Sequence, residues 1–338
     1  MEILINHPLK NHSTFGIDVK SKLFVGINSA EDVTELLRNE KFANEHKLIL
    51  GGGSNLLFTK DFEGLVCKIS ISGISLVEED DQNVLIEAGA GVLWDDLVKY
   101  AIENNYGGIE NLTLIPGTVG AAPIQNIGAY GQELAEIFHS LNGILLESGE
   151  TKIFIKDECN FGYRDSIFKN ELKNKIIITS VRLRLNKNPA TQLSYQEVKN
   201  EIENQNVINP TIKDISRLIK RIRRSKLPNP GELKNAGSFF KNPVISVEKF
   251  KSINETYPDL KCYPVDDDNV KIPAAWLIEK CGLKGKRKGN VGTHKNQSLV
   301  IVNYGGATGN QVLEFAREIR KNVDEMFNIS LEYEVNII

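Results

Sequence analysis

The chain has 338 residues, of which 41% are hydrophobic and 25% charged, and its formal net charge at pH 7 is -3. This balance argues against a dedicated nucleic-acid-binding protein, which usually carries a strong basic excess. No apolar run approaches the roughly 20 residues that span a bilayer, so we expect no membrane insertion.

The first residues and the cysteines lead us to expect a cytoplasmic protein. The first residues, MEILINHPLKNHSTFG, lack the basic and apolar regions of a signal peptide. The four cysteines are scattered and form no CxxC pair, which favours reduced thiols. The five histidines are dispersed as well, so the sequence predicts no metal site.

The first part of the chain reads as a small α/β unit covering residues 1–70. Apolar residues recur at helical spacing over 31–46, which predicts a helix. The apolar segment 47–50 predicts a buried strand that runs into the glycine turn and strand-like run of GGGSNLLF. Another strand is expected at 64–70.

Residues 71–205 read as a larger α+β unit. Strands are predicted at 84–89 and 176–185. The segment 94–105 places Leu97, Val98 and Ala101 on one face, which is typical of an amphipathic helix.

The segment 209–230 starts as a helix and ends in a Pro-Asn-Pro turn, which makes it the best candidate for a domain boundary. Further helices are expected at 246–257, 273–282 and 309–327, with Pro273 in the first turn of its helix. A strand, SLVIVNY, lies between the last two helices. The alternating end, residues 329–338, predicts a final strand.

Three loops are rich in small residues. Gly51, Gly52 and Gly53 can expose consecutive backbone N–H groups as an anion nest suited to a diphosphate, or can form only a tight β-turn. Leu56 stands where a Rossmann fingerprint needs its third glycine, and no Gly-Lys-Ser/Thr of a P-loop follows.

The second loop, 112–134, and the third, 87–91, are also made of bare backbone. In the second, Gln125 and Asn126 can hydrogen-bond the edge of a flat heterocycle. Each loop alone could be a packed turn. Together they favour an extended, phosphate-bearing ligand that lies along the backbone.

Five motifs occur in order along the chain: STFGID at 13–18, LGGGSNLLF at 50–58, IPGTVGAAPIQNIGAYGQE at 115–133, FGYRDSIFK at 161–169 and NAGSFFKNP at 235–243. In this the chain resembles the UDP-N-acetylenolpyruvylglucosamine reductase (MurB) family over nearly its whole length. The motif LSYQEV around Tyr195 is similar to the longer of the family's two forms.

The resemblance implies an α+β protein with the two-subdomain FAD-binding fold of the vanillyl-alcohol-oxidase class and a C-terminal α/β substrate-binding domain. The expected division is FAD-binding subdomain 1 at 1–70, FAD-binding subdomain 2 at 71–205 and the substrate-binding domain at 206–328. The terminal strand 329–338 is expected to return to subdomain 1.

It also implies a UDP-N-acetylmuramate dehydrogenase. Such an enzyme uses FAD as cofactor and NADPH as hydride donor to reduce UDP-N-acetylglucosamine enolpyruvate to UDP-N-acetylmuramate. The reaction belongs to peptidoglycan synthesis and so to cell-wall biogenesis, cell shape and cell division. The implied partners are these small molecules, with no nucleic acid, and the protein is expected to be a monomer.

Three residues match the family's catalytic positions. Arg164 would hold the substrate carboxylate, and Ser238 would donate a proton to carbon. Glu334 would polarise the intermediate or relay protons. From the residues alone, each has an ordinary alternative: a salt bridge of Arg164 with Asp165, a serine in a turn, and an exposed strand carboxylate. Glu332 lies on the same strand face, so spacing does not choose between the two glutamates.

The remaining matches are ligand contacts. Cofactor-binding residues implied by the resemblance and the glycine loops are Gly51, Gly52, Gly53, Ser54, Asn55, Pro116, Gly117, Gly120, Gln125, Asn126, Gly128, Ala129 and Arg223. Substrate-binding residues are Tyr163, Tyr195, Lys226, Asn242, Tyr263, Lys271 and Gln297. The alternative for these lysines and tyrosines is an ordinary surface or core-edge position.

One departure and two rival functions stay open. The family usually has arginine where this chain has Asn336, which puts an arginine contact near the flavin in question. A flavin-dependent oxidase on the same scaffold is one rival, and a non-catalytic nucleotide-binding protein is the other. The basic runs at 220–226 and 284–289 are read as solvated helix face and phosphate attraction rather than nucleic-acid sites.

Overall fold

The computed structural model describes residues 1–43, 45–189 and 195–338. The chain divides into two compact units. The first comprises Met1–His7, Ser21–Gly53 and Glu63–Arg223, and the second comprises Pro8–Lys20, Ser54–Phe62 and Arg224–Ile338. The three-part division expected from the sequence stays a prediction.

The strands of the described residues are β1 Ile3–Pro8, β2 Lys20–Ile27, β3 Lys47–Leu50, β4 Leu56–Leu57, β5 Phe62–Ile69, β6 Ile74–Glu79, β7 Asn83–Gly89, β8 Gly128–Ala129, β9 Gln132–Glu133, β10 Phe138–Leu145, β11 Thr151–Ile155, β12 Ile176–Asn186, β13 Lys234–Ser238, β14 Val244–Ser246, β15 Tyr263–Pro264, β16 Asn269–Lys271, β17 Arg287–Lys288, β18 Val291–Thr293, β19 Val300–Asn303 and β20 Asn336–Ile337. The α-helices of the same residues are α1 Ala30–Arg38, α2 Glu40–Ala43, α3 Trp94–Glu103, α4 Leu134–Ile137, α5 Gln196–Asn204, α6 Ile212–Lys226, α7 Val247–Thr256, α8 Ala274–Lys280 and α9 Gly309–Phe327.

The first unit is built around two sheets. A four-stranded sheet has the order β1-β2-β5-β3, and a five-stranded sheet has the order β11-β10-β12-β7-β6. Strands β3 and β5 pair in parallel, with Leu50 opposite Lys68. Because the two strands of a parallel pair run in the same direction, the loops that follow β3 and β5 leave from the same edge of the sheet.

Helix α3 shows why the first unit packs as it does. Its residues Trp94, Leu97, Val98 and Ala101 are buried on one face and join a large apolar core. The indole Nε1 of Trp94 donates to the carbonyl of Leu112 at 2.9 Å, so the buried ring keeps its one polar atom satisfied.

The second unit contains a four-stranded sheet with the order β13-β19-β18-β17 and the long helix α9. Helix α9 begins with a capping box between Thr308 and Gln311 and ends at Asn328, which adopts the left-handed conformation. Its apolar residues Val312, Phe315, Ile319 and Val323 are buried.

The predicted helices and strands are largely confirmed, with three corrections. The helix expected over 31–46 is two helices, because Asn39 is extended at φ -86° and ψ 101°; Asn44 lies outside the described residues. Pro273 precedes α8 as its N-cap rather than lying in its first turn, because its ψ of 114° is extended.

The third correction concerns the end of the chain. A continuous strand over 329–338 is wrong, because only Asn336–Ile337 forms one, in parallel with Leu56–Leu57. The preceding residues pair elsewhere: Tyr333 forms an antiparallel bridge with Phe240. The segment therefore changes partners midway, which alternation of apolar residues does not reveal.

Neither a membrane-spanning helix nor a metal cluster is seen in the described ranges. None of their helices is both long and apolar enough to cross a bilayer. They also contain no group of three or more His, Cys, Asp or Glu side chains placed to hold a metal ion.

We predict that Gly309→Ala destabilises the protein. An added Cβ would lie 1.8 Å from the carbonyl oxygen of Phe58, so backbone would have to move. Such overpacking should cost about 3 kcal/mol in the free energy of unfolding. Urea unfolding followed by circular dichroism measures it, and the exposed neighbour change Asn310→Ala is the control. Equal urea midpoints for the two variants would contradict the packing described.

Candidate active site

Two of the small-residue loops touch backbone to backbone. A Cβ on Gly52 would lie 2.9 Å from the Cα of Gly117, and one on Gly51 would lie 2.6 Å from the Oγ1 of Thr118. Side chains would force these loops apart, so glycine is required for the approach rather than for a turn alone. The N–H of Trp94 donates to the carbonyl of Gly117 at 3.0 Å and fixes the second loop.

The third loop joins the same stack. A Cβ on Gly120 would lie 2.5 Å from that of Ala90, and the N–H of Gly120 donates to the Ala90 carbonyl at 2.9 Å. Gly91 approaches the backbone of Ser70 and donates to the carbonyl of Ile71 at 2.8 Å. All three loops predicted from the sequence therefore belong to one backbone-lined region of the first unit.

Asn126 organises the middle of the second loop. It is buried and left-handed, with φ 41°. Its Nδ2 donates to Glu133 Oε2 at 2.7 Å and to the carbonyl of Gly162 at 3.1 Å, while its Oδ1 accepts from Ala135 N–H at 3.0 Å. The side chain therefore holds the loop in shape, and its assignment to the cofactor stays a prediction. Gln125 lies beside it, half-buried.

Arg164 lies at the edge of this region in a left-handed conformation, with φ 54°. Its Nη2 donates to the carbonyl of Gly128 at 2.6 Å, and its guanidinium carbon lies 5.3 Å from the ring centre of Tyr163. Lys169 Nζ donates to the Arg164 carbonyl at 3.0 Å. A left-handed backbone conformation is costly for arginine and persists only where the surroundings hold it. The contacts with Gly128, Tyr163 and Lys169 hold Arg164 in this conformation.

Arg223 and two tyrosines form a second polar group in the first unit. The hydroxyl of Tyr130 is hydrogen-bonded to Arg223, and burial raises the pKa of Tyr130 to about 12. The Tyr130 ring meets Tyr195 edge-to-face at 5.2 Å. The side chain of Arg223 is partly exposed, yet its Nε is shut off from solvent and has no hydrogen-bond partner among the described residues. Residues 190–194, which include the start of LSYQEV, lie outside the described residues.

Ser238 and Glu334 lie on adjacent backbone in the second unit. Ser238 ends β13, opposite Val300 of β19. The N–H of Glu334 donates to the carbonyl of Phe239 at 2.9 Å, and Nδ2 of Asn55 donates to the Glu334 carbonyl at 3.1 Å. The structure thus brings together two of the three predicted catalytic residues, while Arg164 belongs to the first unit.

The two candidate glutamates differ in surroundings. The Glu332 side chain is 74% exposed and forms an ion pair with Lys241 at 3.0 Å. Glu334 is half-buried, next to the ring of Tyr333, which packs edge-to-face on Phe239 at 5.6 Å. Spacing could not separate them, whereas burial favours Glu334.

The predicted substrate contacts of the second unit occupy loop and strand ends. Lys226 is the last residue of α6. Tyr263 and Lys271 are directly opposite each other on β15 and β16. Asn242 Oδ1 accepts from the N–H of Ala274 at 3.0 Å, and Gln297 Oε1 accepts from the N–H of Leu299 at 3.4 Å.

Sequence reasoning missed two residues that hold Lys226. The imidazole of His294 is hydrogen-bonded to the backbone of Lys226, and burial lowers the pKa of His294. Asn296 Nδ2 donates to the carbonyl of Ser225 at 3.0 Å. Both side chains hydrogen-bond to backbone groups at the C-terminal end of α6. They belong to a loop that is distant in sequence, so no local signal could have identified them.

Ser54 and Asn55 follow the first glycine loop but belong to the second unit. The carbonyl of Asn55 accepts from both the N–H of Asn336, at 3.0 Å, and its Nδ2, at 3.1 Å. Asn336 therefore supports the loop that carries Ser54 and Asn55. Pro116 is exposed and Ala129 half-buried on the second loop.

Family models match two parts of the chain. Residues 229–338 match the UDP-N-acetylenolpyruvoylglucosamine reductase C-terminal domain, and residues 21–154 match an FAD binding domain. Curated relatives named UDP-N-acetylenolpyruvoylglucosamine reductase match over the full length of both chains, with 50% identity in Flavobacterium johnsoniae and 47% in Amoebophilus asiaticus.

The chain belongs to the UDP-N-acetylenolpyruvoylglucosamine reductase family. The solved MurB structure from Thermus caldophilus is 25% identical and superposes with a TM-score of 0.69, covering 99% of this chain and 98% of that one. The family predicted from the five motifs is therefore confirmed.

The fold class is confirmed as well. The structure of 6-hydroxy-D-nicotine oxidase from Arthrobacter nicotinovorans is 14% identical, covers 97% of this chain and 86% of that one, and superposes with a TM-score of 0.51. At that identity the likeness shows the fold alone. It agrees with the FAD-binding fold of the vanillyl-alcohol-oxidase class expected from the sequence.

We predict that Gly52→Ala lowers both the stability and the flavin content of this reductase-family protein. The added methyl must push Gly117 away, and overpacking of this kind costs about 2 kcal/mol. Thermal unfolding and the ratio of visible flavin absorbance to protein absorbance measure the two effects. The control is Gly26→Ala, whose nearest neighbour to the added Cβ is Asn28 Nδ2 at 4.0 Å. If both variants keep wild-type flavin content, the close approach of the loops has no role in cofactor retention.

Proposed function

We propose that this protein uses NADPH and FAD to reduce UDP-N-acetylglucosamine enolpyruvate to UDP-N-acetylmuramate, with Arg164, Ser238 and Glu334 as its catalytic residues. Full-length family membership supports the reaction. The observation that carries the residue assignment is the hydrogen bond joining Glu334 to the residue after Ser238, which keeps an acid and a hydroxyl on neighbouring backbone.

The first unit fits FAD. The glycine loops are lined by backbone rather than by side chains, and the hydroxyl of Thr118 is buried with no hydrogen-bond partner among the described residues. The Nε of Arg223, which is shielded from solvent, is a second hydrogen-bond donor without a partner in the part of the chain that the structure describes. The proposed cofactor-binding residues are Gly51, Gly52, Gly53, Ser54, Asn55, Pro116, Gly117, Gly120, Gln125, Asn126, Gly128, Ala129 and Arg223.

When bound, FAD would supply hydride chemistry that no side chain provides. Hydride addition to the vinyl carbon of the enolpyruvyl ether places negative charge on the adjacent carbon and the carboxylate. We assign Arg164 to that carboxylate, because a guanidinium binds a carboxylate through two parallel hydrogen bonds. Its contacts with Gly128 and Tyr163 would hold it in one direction.

The adjacent carbon must then be protonated. We assign this to the Ser238 hydroxyl, which needs a strongly polarising environment because serine is a poor acid in water. Glu334 is half-buried on the adjacent backbone. Its carboxylate would polarise the intermediate or relay the proton. Tyr163, Tyr195, Lys226, Asn242, Tyr263, Lys271 and Gln297 are proposed to bind the sugar nucleotide. Lys226 and Lys271 are assigned to its diphosphate as point charges.

Turnover with defined products tests this function. Purified protein should oxidise NADPH only when UDP-N-acetylglucosamine enolpyruvate is present, and mass spectrometry should find one UDP-N-acetylmuramate for each NADPH consumed. Oxygen uptake with an alcohol substrate and no such product would support the flavin-dependent oxidase instead. A protein that takes up no flavin would support the non-catalytic alternative.

We expect Ser238→Ala to separate the two half-reactions. Reduction of the flavin by NADPH should stay near the wild-type rate, because the serine takes no part in it. Reoxidation by the enolpyruvyl substrate should fall by at least about 100-fold, the usual contribution of a positioned acid. Stopped-flow absorbance measures both rates, with Ser246→Ala as the control. Equal losses in the two half-reactions would remove the proton-donor role.

We expect Lys226→Ala to weaken substrate binding chiefly. Loss of one ammonium from a diphosphate should raise the apparent KM for the sugar nucleotide by about tenfold, with a much smaller change in kcat. Steady-state kinetics measures both parameters. Lys213→Ala, an exposed lysine on the same helix, is the control. An unchanged KM would show that Lys226 does not bind the substrate.

A further inference from the structure

The loop between β18 and β19, residues 294–299, holds the C-terminal end of α6. The last carbonyl groups of a helix have no partners within the helix, so other groups must satisfy them. Two side chains of this loop do so. Asn296 Nδ2 donates to the carbonyl of Ser225 at 3.0 Å, and the imidazole of His294 is hydrogen-bonded to the backbone of Lys226. The last two residues of α6 are therefore tied to one loop.

The imidazole of His294 is hydrogen-bonded on both sides. Its Nδ1 accepts from the N–H of Asn296, in its own loop, at 3.4 Å. The hydrogen bond to Lys226 favours the protonated form of the ring nitrogen, so the ring donates there through Nε2 and the Lys226 carbonyl accepts. A ring that donates through one nitrogen and accepts through the other is the neutral imidazole. His294 therefore joins its loop to Lys226 in the uncharged form.

The surroundings of His294 keep the ring uncharged. The residue is only 9% exposed. Burial lowers the pKa of its imidazole, and the positive charge of the neighbouring Lys295 acts in the same direction. Because an ordinary histidine already has a pKa of about 6.5, the ring is neutral at pH 7 and its Nδ1 can accept the Asn296 N–H.

The same loop carries Gln297, which is also assigned to the sugar nucleotide. The N–H of His294 donates to the Val300 carbonyl at 2.8 Å, and the N–H of Val300 donates to the Gln297 carbonyl at 3.1 Å. These two bonds close the turn that contains Gln297. The bond from the His294 ring to Lys226 therefore links two proposed substrate contacts that lie far apart in sequence. Residues held in place before a ligand arrives lose less freedom when it binds.

We propose that His294 is a positioning residue for the sugar nucleotide: its Nε2 holds the backbone of Lys226 so that the ammonium group can meet the diphosphate. The ring itself needs no contact with the substrate. This inference rests on the assignment of Lys226 to the diphosphate in the proposed function. Without the bond, the end of α6 would fray and Lys226 would lose more conformational freedom on binding.

Two substitutions separate the two hydrogen bonds of the ring. His294→Gln places an amide nitrogen near the position of Nε2 and keeps a donor for the Lys226 carbonyl, whereas His294→Asn places an amide oxygen near the position of Nδ1 and keeps an acceptor for the Asn296 N–H. Calorimetric titration with UDP measures the Kd. His294→Asn should raise this Kd about fivefold, the usual effect of one hydrogen bond, and His294→Gln should stay within about twofold of the wild type.

Steady-state kinetics gives a second readout. The KM for the sugar nucleotide should follow the Kd for UDP across the two variants, with kcat nearly unchanged, because only binding is affected. A double-mutant cycle then links the effect to the ammonium group. In the Lys226→Ala background, His294→Asn should weaken UDP binding no further, because no ammonium group remains to be positioned.

His139→Asn is the matched control. His139 is also a half-buried histidine, and its Nδ1 is hydrogen-bonded to the Ser140 hydroxyl at 3.0 Å. This change should leave the Kd for UDP at the wild-type value. Thermal unfolding checks that every variant is folded.

Three outcomes would overturn the inference. An unchanged Kd in His294→Asn would remove the positioning role. Rescue by His294→Asn alone, or an equal loss in both variants, would show that the bond to Lys226 does not carry the effect. Additive losses in the double mutant would show that His294 acts independently of the Lys226 ammonium group. If the wild-type protein binds UDP but forms no UDP-N-acetylmuramate, the proposed reaction fails while the Kd values still decide this inference. If it binds no UDP, both fail.

Discussion

The close approach of Gly52 to Gly117 is the constraint on which the first unit depends. At 2.9 Å from a would-be Cβ to the opposing Cα, no side chain fits between the two loops. Gly120 against Ala90 and Gly91 against Ser70 repeat the same contact. Backbone packed this closely cannot bury apolar side chains between the loops, so hydrogen bonds such as that from the N–H of Gly120 to the Ala90 carbonyl give these loops their order.

The second unit organises its chemistry differently. One backbone hydrogen bond, from the N–H of Glu334 to the carbonyl of Phe239, keeps Glu334 and Ser238 on adjacent backbone segments. The rings of Phe239, Phe240 and Tyr333 pack together beneath it, and the guanidinium of Arg320 lies 4.8 Å from the centre of the Tyr333 ring. A large apolar and aromatic support of this kind limits the movement of a short polar segment.

Much of this molecule could be predicted because the signals are local. Helix α9 follows from the helical pattern over 309–327, and the glycine loops follow from composition. The motifs identified the family, although composition and spacing alone reached only an extended phosphate-bearing ligand. The roles of Arg164, Ser238 and Glu334 stay predictions.

Other features could not be predicted, because they depend on residues that are distant in sequence. Near the end of the chain, Tyr333 pairs with Phe240, whereas Asn336 hydrogen-bonds to Asn55. The alternation of apolar and polar residues cannot show this change of partner. The hydrogen bonds of the Asn126 amide to Glu133 and to the Gly162 carbonyl could not be predicted from the sequence, and the assignment of Asn126 to the cofactor stays a prediction. Lys68 sits in an apolar strand pattern, and only the parallel register with Leu50 places it beside the glycine loop.

The most direct test of the whole account is the visible spectrum of the purified protein under anaerobic conditions. The account predicts flavin bands that bleach when NADPH is added and return when UDP-N-acetylglucosamine enolpyruvate follows. Flavin that is reduced but never reoxidised by that substrate would contradict the proposed reaction.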